Sequence, residues 1–150
     1  MPKVAAVRLT YNPRTLWFDP AGVEFSRGDA LIVRTERGLE YGIADNNLMD
    51  VDQESIKALR SPLKPVERVA TEEDTASWKD LCRQSEDALP VFKRIVAEQK
   101  VDMRPVTVEF LFGGDKAIFY FESDDRVDFR NLVRVLASEF HVHVAMHQIG

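Results

Sequence analysis

The 150-residue sequence has little of the chemistry that several classes of protein require. Its one cysteine, Cys82, excludes an internal disulfide and any multi-cysteine zinc or iron–sulfur site built from this chain alone. No apolar run reaches the roughly 18 residues of a membrane span, and no apolar segment typical of a signal peptide follows Met1. With 20 basic and 25 acidic residues the net charge is −5, which argues against binding nucleic acid through bulk charge. These absences predict a soluble, cytosolic globular protein.

Catalytic motifs are also missing from the sequence. Gly113-Gly114 lies in a predicted hairpin rather than between a strand and a helix, so it does not suit a phosphate loop. Neither a Gly-x-Ser-x-Gly elbow nor a His-Glu-x-x-His pair occurs. Cys82 falls on a predicted apolar helix stripe, where a small buried side chain is the simpler interpretation than a nucleophile. The sequence therefore predicts a protein that is not an enzyme.

The first half of the chain has the pattern of a small β structure. Turn signals rich in Gly, Pro, Asn and Asp separate short strand-like runs over residues 4–9, 16–18, 30–34 and 39–44. With no helix predicted between them, these strands favour a small curled sheet or an SH3-like barrel. Residues 61–65 contain two prolines, which exclude a helix or central strand, and we interpret this segment as a connector.

The second half changes to a helical period. A capping-box-like start at residues 71–74 leads into an amphipathic helix, which Pro90 is expected to kink or split. Strands over residues 106–112 and 116–122 follow, and then a short helix that Asp128 is placed to cap. A last strand is predicted over residues 142–149.

The resulting fold class is α+β with two lobes. Residues 1–70 are predicted to form a small N-terminal β-barrel-like (SH3-like) lobe, and residues 71–150 a helix plus a ferredoxin-like α/β lobe. The order helix–strand–strand–helix–strand lacks one strand of the ferredoxin-like arrangement, and the first half could lend it.

All three histidines, His141, His143 and His147, lie in the last ten residues. On a strand they share one face, and residues i and i+2 lie about 6.6 Å apart, which suits chelation. Two ligands make a poor zinc site without a neighbouring carboxylate, so a polar sheet face is the preferred interpretation and no metal site is predicted.

Three surfaces are candidates for binding a partner, and one of them is the exposed part of the long helix predicted after residue 71. Arg126, Arg130 and Arg134 recur every four residues, which indicates either a solvated face neutralised by nearby carboxylates or a guanidinium row for phosphate or acidic groups. The open sheet face carries Tyr120 and His143, which could stack on bases. Glutamates on the same face would repel phosphates, so packing against protein is the favoured interpretation and direct RNA binding the alternative.

Several stretches resemble the C-terminal conserved domain of the PSP family, which includes the bacterial YaaT-like (RicT-like) proteins. In the second half they are AIFYF (117–121), RVDFRNLV (126–133) and QIG (148–150). In the first half they are RGDALIV (27–33), TERGLEYG (35–42), PLKPV (62–66) and ATEED (70–74). The resemblance covers essentially the whole chain, and its motifs mark a family rather than an active site.

The resemblance implies a cytoplasmic, non-catalytic regulatory adaptor. Proteins of this kind form a complex with small helical YlbF-like and YmcA-like proteins, which steers messenger-RNA processing by an endoribonuclease and affects sporulation, competence and biofilm formation. Relatives carry an iron–sulfur cluster through a cysteine-rich segment, and this sequence has none of those cysteines. We therefore expect no cofactor in this chain, RNA contact that is at most indirect, and no membrane insertion.

Overall fold

The computed structural model describes residues 1–10, 14–59 and 61–149. The chain divides into two compact units, Met1–Trp78 and Lys79–Gly150. The sequence placed a lobe boundary at residue 70, whereas the compact units divide inside a long helix. Both helices and strands are present, and the fold is α+β. Among the described residues, no helix combines the length and the apolar character needed to cross a membrane.

The first unit is built on a six-stranded sheet. Its strands are β1 (Lys3–Leu9), β2 (Thr15–Phe18), β3 (Ala30–Thr35), β4 (Gly38–Ala44), β5 (Met49–Asp50) and β6 (Val66–Val69). The order is β2-β1-β4-β3-β6, all antiparallel, and β5 pairs with β1. The four predicted strands are confirmed with small changes of bounds. No helix lies between them among the described residues, as expected, and the short α1 (Gln53–Lys57) follows later, where Asp52 accepts the Ser55 N–H.

The two ends of this sheet curl towards each other and meet at one bridge. Asp19, just after β2, donates its N–H to the carbonyl of Lys64 and accepts the N–H of Val66, both at 2.8 Å. The sheet therefore stays open in its regular pairing but is barrel-like at this point, as the short strands and tight turns suggested. Residues 61–64 form neither helix nor strand, as the two prolines of residues 61–65 predicted, but the segment leads into β6 within the first unit and does not link the two units.

The long helix α2 (Glu72–Glu98) begins with reciprocal capping bonds. Thr71 Oγ1 accepts the Asp74 N–H at 3.1 Å, and the Asp74 carboxylate accepts the Thr71 N–H at 3.0 Å. Of the two effects expected of Pro90, a kink or a split, the split is excluded, since α2 continues through it. Pro90 and Glu86 are both exposed, so water can bind the Glu86 carbonyl that the missing N–H leaves without its helical partner.

The second unit contains a three-stranded sheet and a helix. Its elements are β7 (Arg104–Phe110), β8 (Lys116–Glu122), α3 (Arg130–Phe140) and β9 (His143–Gln148). The order is β7-β8-β9, with β7 antiparallel and β9 parallel to β8. The predicted element order is confirmed, but the suggested borrowing of a strand is not found among the described residues. Instead β9 pairs directly with β8, where a ferredoxin-like sheet would have another strand between them.

The core of the second unit lies between this sheet and helices α2 and α3. Phe92 of α2, Phe119 of β8 and Leu136 of α3 are completely buried, and the Phe92 and Phe119 rings meet edge to face at 5.0 Å. The short helix predicted after β8 is therefore confirmed, and an apolar stripe of regular period packs its centre into the core.

Three local predictions in this unit need correction. Strand β7 begins and ends two residues earlier than predicted, and a bulge between Pro105 and Thr107 leaves Val106 exposed. Phe129 is the N-cap of α3, although the Asp128 carboxylate still accepts the Arg130 N–H at 3.2 Å. His141 is the left-handed C-cap of α3, with φ 55°, and so does not share the strand face of the other histidines.

Candidate functional site

A surface groove runs between the C-terminal end of α2 and helix α3. It consists of two clefts of about 440 and 410 Å³, which share Gln99 and Asn131 and therefore adjoin. The first is also lined by Lys100, Val101, Asp102, Asp125, Arg126, Val127, Asp128 and Leu132, and the second by Arg134, Val135, Ser138 and Glu139. We refer to the two clefts together as the α2–α3 groove, and all of its residues belong to the second compact unit.

The loop before α3 is fixed by a buried hydroxyl. Ser123 is 6% exposed, and its Oγ lies 3.1 Å from the Asp102 carbonyl and 2.9 Å from the Asp125 carbonyl. The Asp125 N–H also points at this oxygen, at 3.3 Å. Because Asp102 and Asp125 both line the first cleft, this one side chain holds two of its walls together.

The second cleft is held by an ion pair between helices. The Arg94 guanidinium on α2 lies 3.5 Å from the Glu139 carboxylate on α3, and it also donates to Glu98 at 2.6 Å. All three side chains are about half exposed, so we expect each pair to contribute only modestly to stability. Their main effect is to set where Glu139 lies at the mouth of the groove.

The three predicted arginines occupy different environments. Arg126 lines the first cleft and Arg134 the second, where its guanidinium donates to Asn131 Oδ1. Arg130 lines neither cleft, and it is exposed and paired with Asp128 through Nε at 3.0 Å and Nη2 at 2.8 Å. These bonds from Arg130 lower the pKa of Asp128 to about 2. The groove therefore receives two of the three guanidinium groups, and a carboxylate neutralises the third.

The other two predicted site residues, Tyr120 and His143, lie on the sheet of the second unit. Tyr120 donates its hydroxyl to Glu109 Oε1 at 2.8 Å, and Glu109 is only 3% exposed. The register places Tyr120 opposite His147, with ring centroids 5.3 Å apart, whereas His143 lies opposite Lys116. Tyr120 and His143 are thus separated along the sheet, and His147, which the sequence placed on the same strand face as His143, is the aromatic neighbour of Tyr120.

The arrangement of the described residues suits neither a metal ion nor an iron–sulfur cluster. The described part of the chain holds no group of three or more His, Cys, Asp or Glu side chains arranged to bind a metal ion. An iron–sulfur cluster takes several cysteine ligands, and the sequence offers one. Burial raises the pKa of Cys82, with a smaller contribution from the charge of Glu86. The thiolate form, which binds an iron–sulfur cluster, is therefore disfavoured at Cys82. The residues of this chain therefore do not fit an iron–sulfur cluster.

Sequence reasoning found the arginines but missed most of the groove. Asn131 stands within the stretch RVDFRNLV, which was noted only as a family motif. Gln99 carried no signal, because it enters the groove only through the end of α2 and a left-handed Lys100, with φ 55°. Such a position depends on where α2 stops relative to a helix some 30 residues later.

The protein is thus a two-unit α+β protein with a surface groove between α2 and α3 in its second unit. Over residues 64–149 the chain matches the family described as PSP1 C-terminal conserved region, and it belongs to that family. It is also 37% identical over 150 residues to "Stage 0 sporulation protein YaaT" of Bacillus subtilis (strain 168). That alignment covers all of this chain and 54% of the relative, so the chain spans about half of the relative's length. No solved structure matches, and the α2–α3 groove lies wholly within the family region.

Proposed function

We propose that this chain is a non-catalytic, cytoplasmic regulatory adaptor that binds protein partners at the α2–α3 groove. The observation that carries the proposal is that a groove with guanidinium groups in both of its clefts falls inside the family region. A regulatory role is supported by the relative, whose name describes a sporulation protein.

The groove has the composition of a surface for an amphipathic helix. Partly buried apolar side chains from Val101, Val127 and Val135 lie among charged and amide groups along it. A helix bound in such a groove would place its apolar face on these residues and acidic side chains beside Arg126 and Arg134. This fits the small helical YlbF-like and YmcA-like proteins as partners, in a complex that steers messenger-RNA processing by an endoribonuclease and so affects sporulation, competence and biofilm formation.

Charge reversal in the groove tests this proposal directly. The variants are Arg126→Glu, Arg134→Glu and their combination, titrated with purified YlbF-like and YmcA-like proteins of the same host. We expect the double variant to weaken binding by about tenfold or more, because it sets like charges against the acidic side of the partner. Arg130→Glu should also weaken binding, since it leaves Asp128, which lines the first cleft, without its counter-charge.

The matched control is Arg83→Glu, an exposed arginine of α2 that lines neither cleft. It changes the charge by the same amount as each single groove variant. The Kd for the protein partners should stay within about twofold of the wild-type value. Partner binding by the double variant that equals wild type would remove the groove as the docking site.

Direct RNA binding is the second candidate, favoured by the Tyr120–His147 aromatic pair on the sheet face. It predicts affinity for single-stranded RNA that falls steeply with salt and is reduced by His147→Ala. Capture of the protein partners with and without nuclease separates the two candidates, because partners bridged by RNA would be lost after digestion.

A further inference from the structure

The edge of the second sheet formed by β7 is protected in three ways. Pro105 lacks an N–H donor, a bulge follows it, and the N–H of Phe110 donates to Ser85 Oγ of α2 at 3.0 Å. Prolines, bulges and covering helices are the devices by which proteins prevent an edge strand from pairing with another chain. This edge is therefore closed to a new strand.

The edges of the first sheet are protected differently. Its end strands β2 and β6 are joined through Asp19, which bonds to the backbone of Lys64 and Val66. That bridge occupies the backbone groups that a new strand would need at this point.

Strand β9 has none of these protections. Its six residues, HVAMHQ, include no proline, lysine, arginine or carboxylate, and its pairing with β8 has no bulge. It is the end strand of its sheet. Within the described ranges, β9 is thus an unprotected edge.

The direction of the free backbone groups on β9 follows from its bonds to β8. His143 and Ile149 donate their N–H groups to the carbonyls of Asp115 and Phe121, both next to or within β8. Because backbone groups alternate in direction along a strand, the N–H and C=O groups of Val144, Met146 and Gln148 point away from β8. Three donors and three acceptors therefore line the open edge.

We propose that β9 pairs antiparallel with β9 of a second copy of this chain, about a two-fold axis at Met146. Met146 then faces its own counterpart, and Val144 faces Gln148 of the other copy. This register joins all the outward groups of the edge in about six hydrogen bonds and extends the sheet across both copies.

The chemistry of the strand favours a second copy as the occupant. The strand has no Lys, Arg, Asp or Glu that would be placed against a like charge in its counterpart, and the strand is its own complement in hydrogen bonding. Val144 and Met146, partly buried against the core, would continue that apolar surface into the core of the other copy. Strand pairing alone makes a small interface, so the dimer should be in reversible equilibrium with the monomer.

The first test is self-association of the 150-residue chain from about 1 to about 500 µM, followed by sedimentation velocity. We expect the mass to rise towards twice the monomer value, together with slower amide exchange at Val144, Met146 and Gln148 at the higher concentration. A monomer throughout this range, or exchange that does not change with concentration, would overturn the proposal.

A charge swap tests the register. In the proposed pairing Ala145 faces His147 of the other copy, so a chain with Ala145→Lys and His147→Lys should be monomeric, as should one with Ala145→Glu and His147→Glu. Their mixture should restore the dimer through cross-strand ion pairs, which a merely misfolded variant could not do. Val106→Lys, on the protected β7 edge, is the control and should dimerise like wild type. A mixture that stays monomeric while both variants are folded would refute this register.

Discussion

The Asp74 carboxylate joins β6 to the start of α2, and its removal gives the sharpest stability prediction. Asp74 accepts two hydrogen bonds from the Arg68 guanidinium, at 3.0 and 2.9 Å, besides the N–H of Thr71. Its side chain is 11% exposed, while that of Arg68 is 45% exposed. The substitution Asp74→Asn removes the charge and keeps the shape, so it isolates the electrostatic part of this contact.

The magnitude follows from the pKa. Hydrogen bonding from Arg68, more than any other contact, lowers the pKa of Asp74 from 3.8 to about 2. At about 1.36 kcal/mol per pKa unit this corresponds to at most about 2.4 kcal/mol. Because solvent reaches much of Arg68 and screens the pair, we expect Asp74→Asn to lower the free energy of unfolding by about 1–2 kcal/mol at pH 7.

The effect should vanish in acid. A carboxylate whose pKa is lowered in the folded state stabilises it above the unfolded pKa, and that stabilisation is lost as pH falls through the folded value. The difference between wild type and Asp74→Asn should therefore be constant above about pH 5 and shrink between about pH 4 and pH 2.

Tryptophan fluorescence during urea unfolding is the appropriate assay. Both tryptophans of the chain, Trp17 and Trp78, belong to the compact unit that contains Asp74. Trp78 stacks on Tyr41 with centroids 4.5 Å apart, so its emission should respond when the start of α2 separates from β4. The control Glu73→Gln changes an exposed carboxylate in the same helical turn and should cost no more than about 0.5 kcal/mol. An unchanged stability of Asp74→Asn at pH 7, or a loss that persists at pH 2, would refute the reasoning.

Three further substitutions probe the packing of each unit. Ser85→Ala leaves the buried Phe110 N–H without its acceptor and should lower the free energy of unfolding by about 1–3 kcal/mol. Urea unfolding followed by far-UV circular dichroism measures this loss. Gly42→Ala would place a Cβ 2.6 Å from Val7 Cγ1, and this overpacking should lower the free energy of unfolding by about 1–3 kcal/mol. Urea unfolding followed by tryptophan fluorescence measures the loss, and an unchanged midpoint would contradict the close approach of β1 and β4. Leu136→Ala, at a completely buried position of α3, should cost about 2–5 kcal/mol by circular dichroism, and a loss below 1 kcal/mol would argue against its place in the core.

Local pattern was enough to predict the elements whose boundaries are set by nearby residues. Strand β8 has the predicted bounds, because Gly113 and Gly114, both with positive φ, form the turn that precedes it. The centre of α3 is likewise given by an apolar stripe of regular period. In both cases the signal lies within a few residues of the element.

Prediction failed where distant contacts decide the outcome. Pro90 does not divide α2, because the packing of Phe92 and Ile95 against the sheet holds the following turns in place. Strand β7 starts at Arg104 because pairing with Glu122 begins there, and Pro105 is tolerated at an edge with a bulge. The groove depends in the same way on Ser123, whose hydroxyl lies beside the carbonyls of Asp102 and Asp125, far apart in the sequence.

The family region and the compact units have different bounds, and the difference has a structural meaning. The region begins at residue 64 and so includes β6, which pairs with β3 at Leu31–Val69 and Val33–Val66. Val66 is 2% exposed, and its burial depends on strands that precede the matched region. A piece limited to residues 64–149 would therefore expose Val66 and leave β6 without its partner. The alignment with the sporulation protein covers all of this chain, so unlike the family region it includes the strands of the first sheet that receive β6.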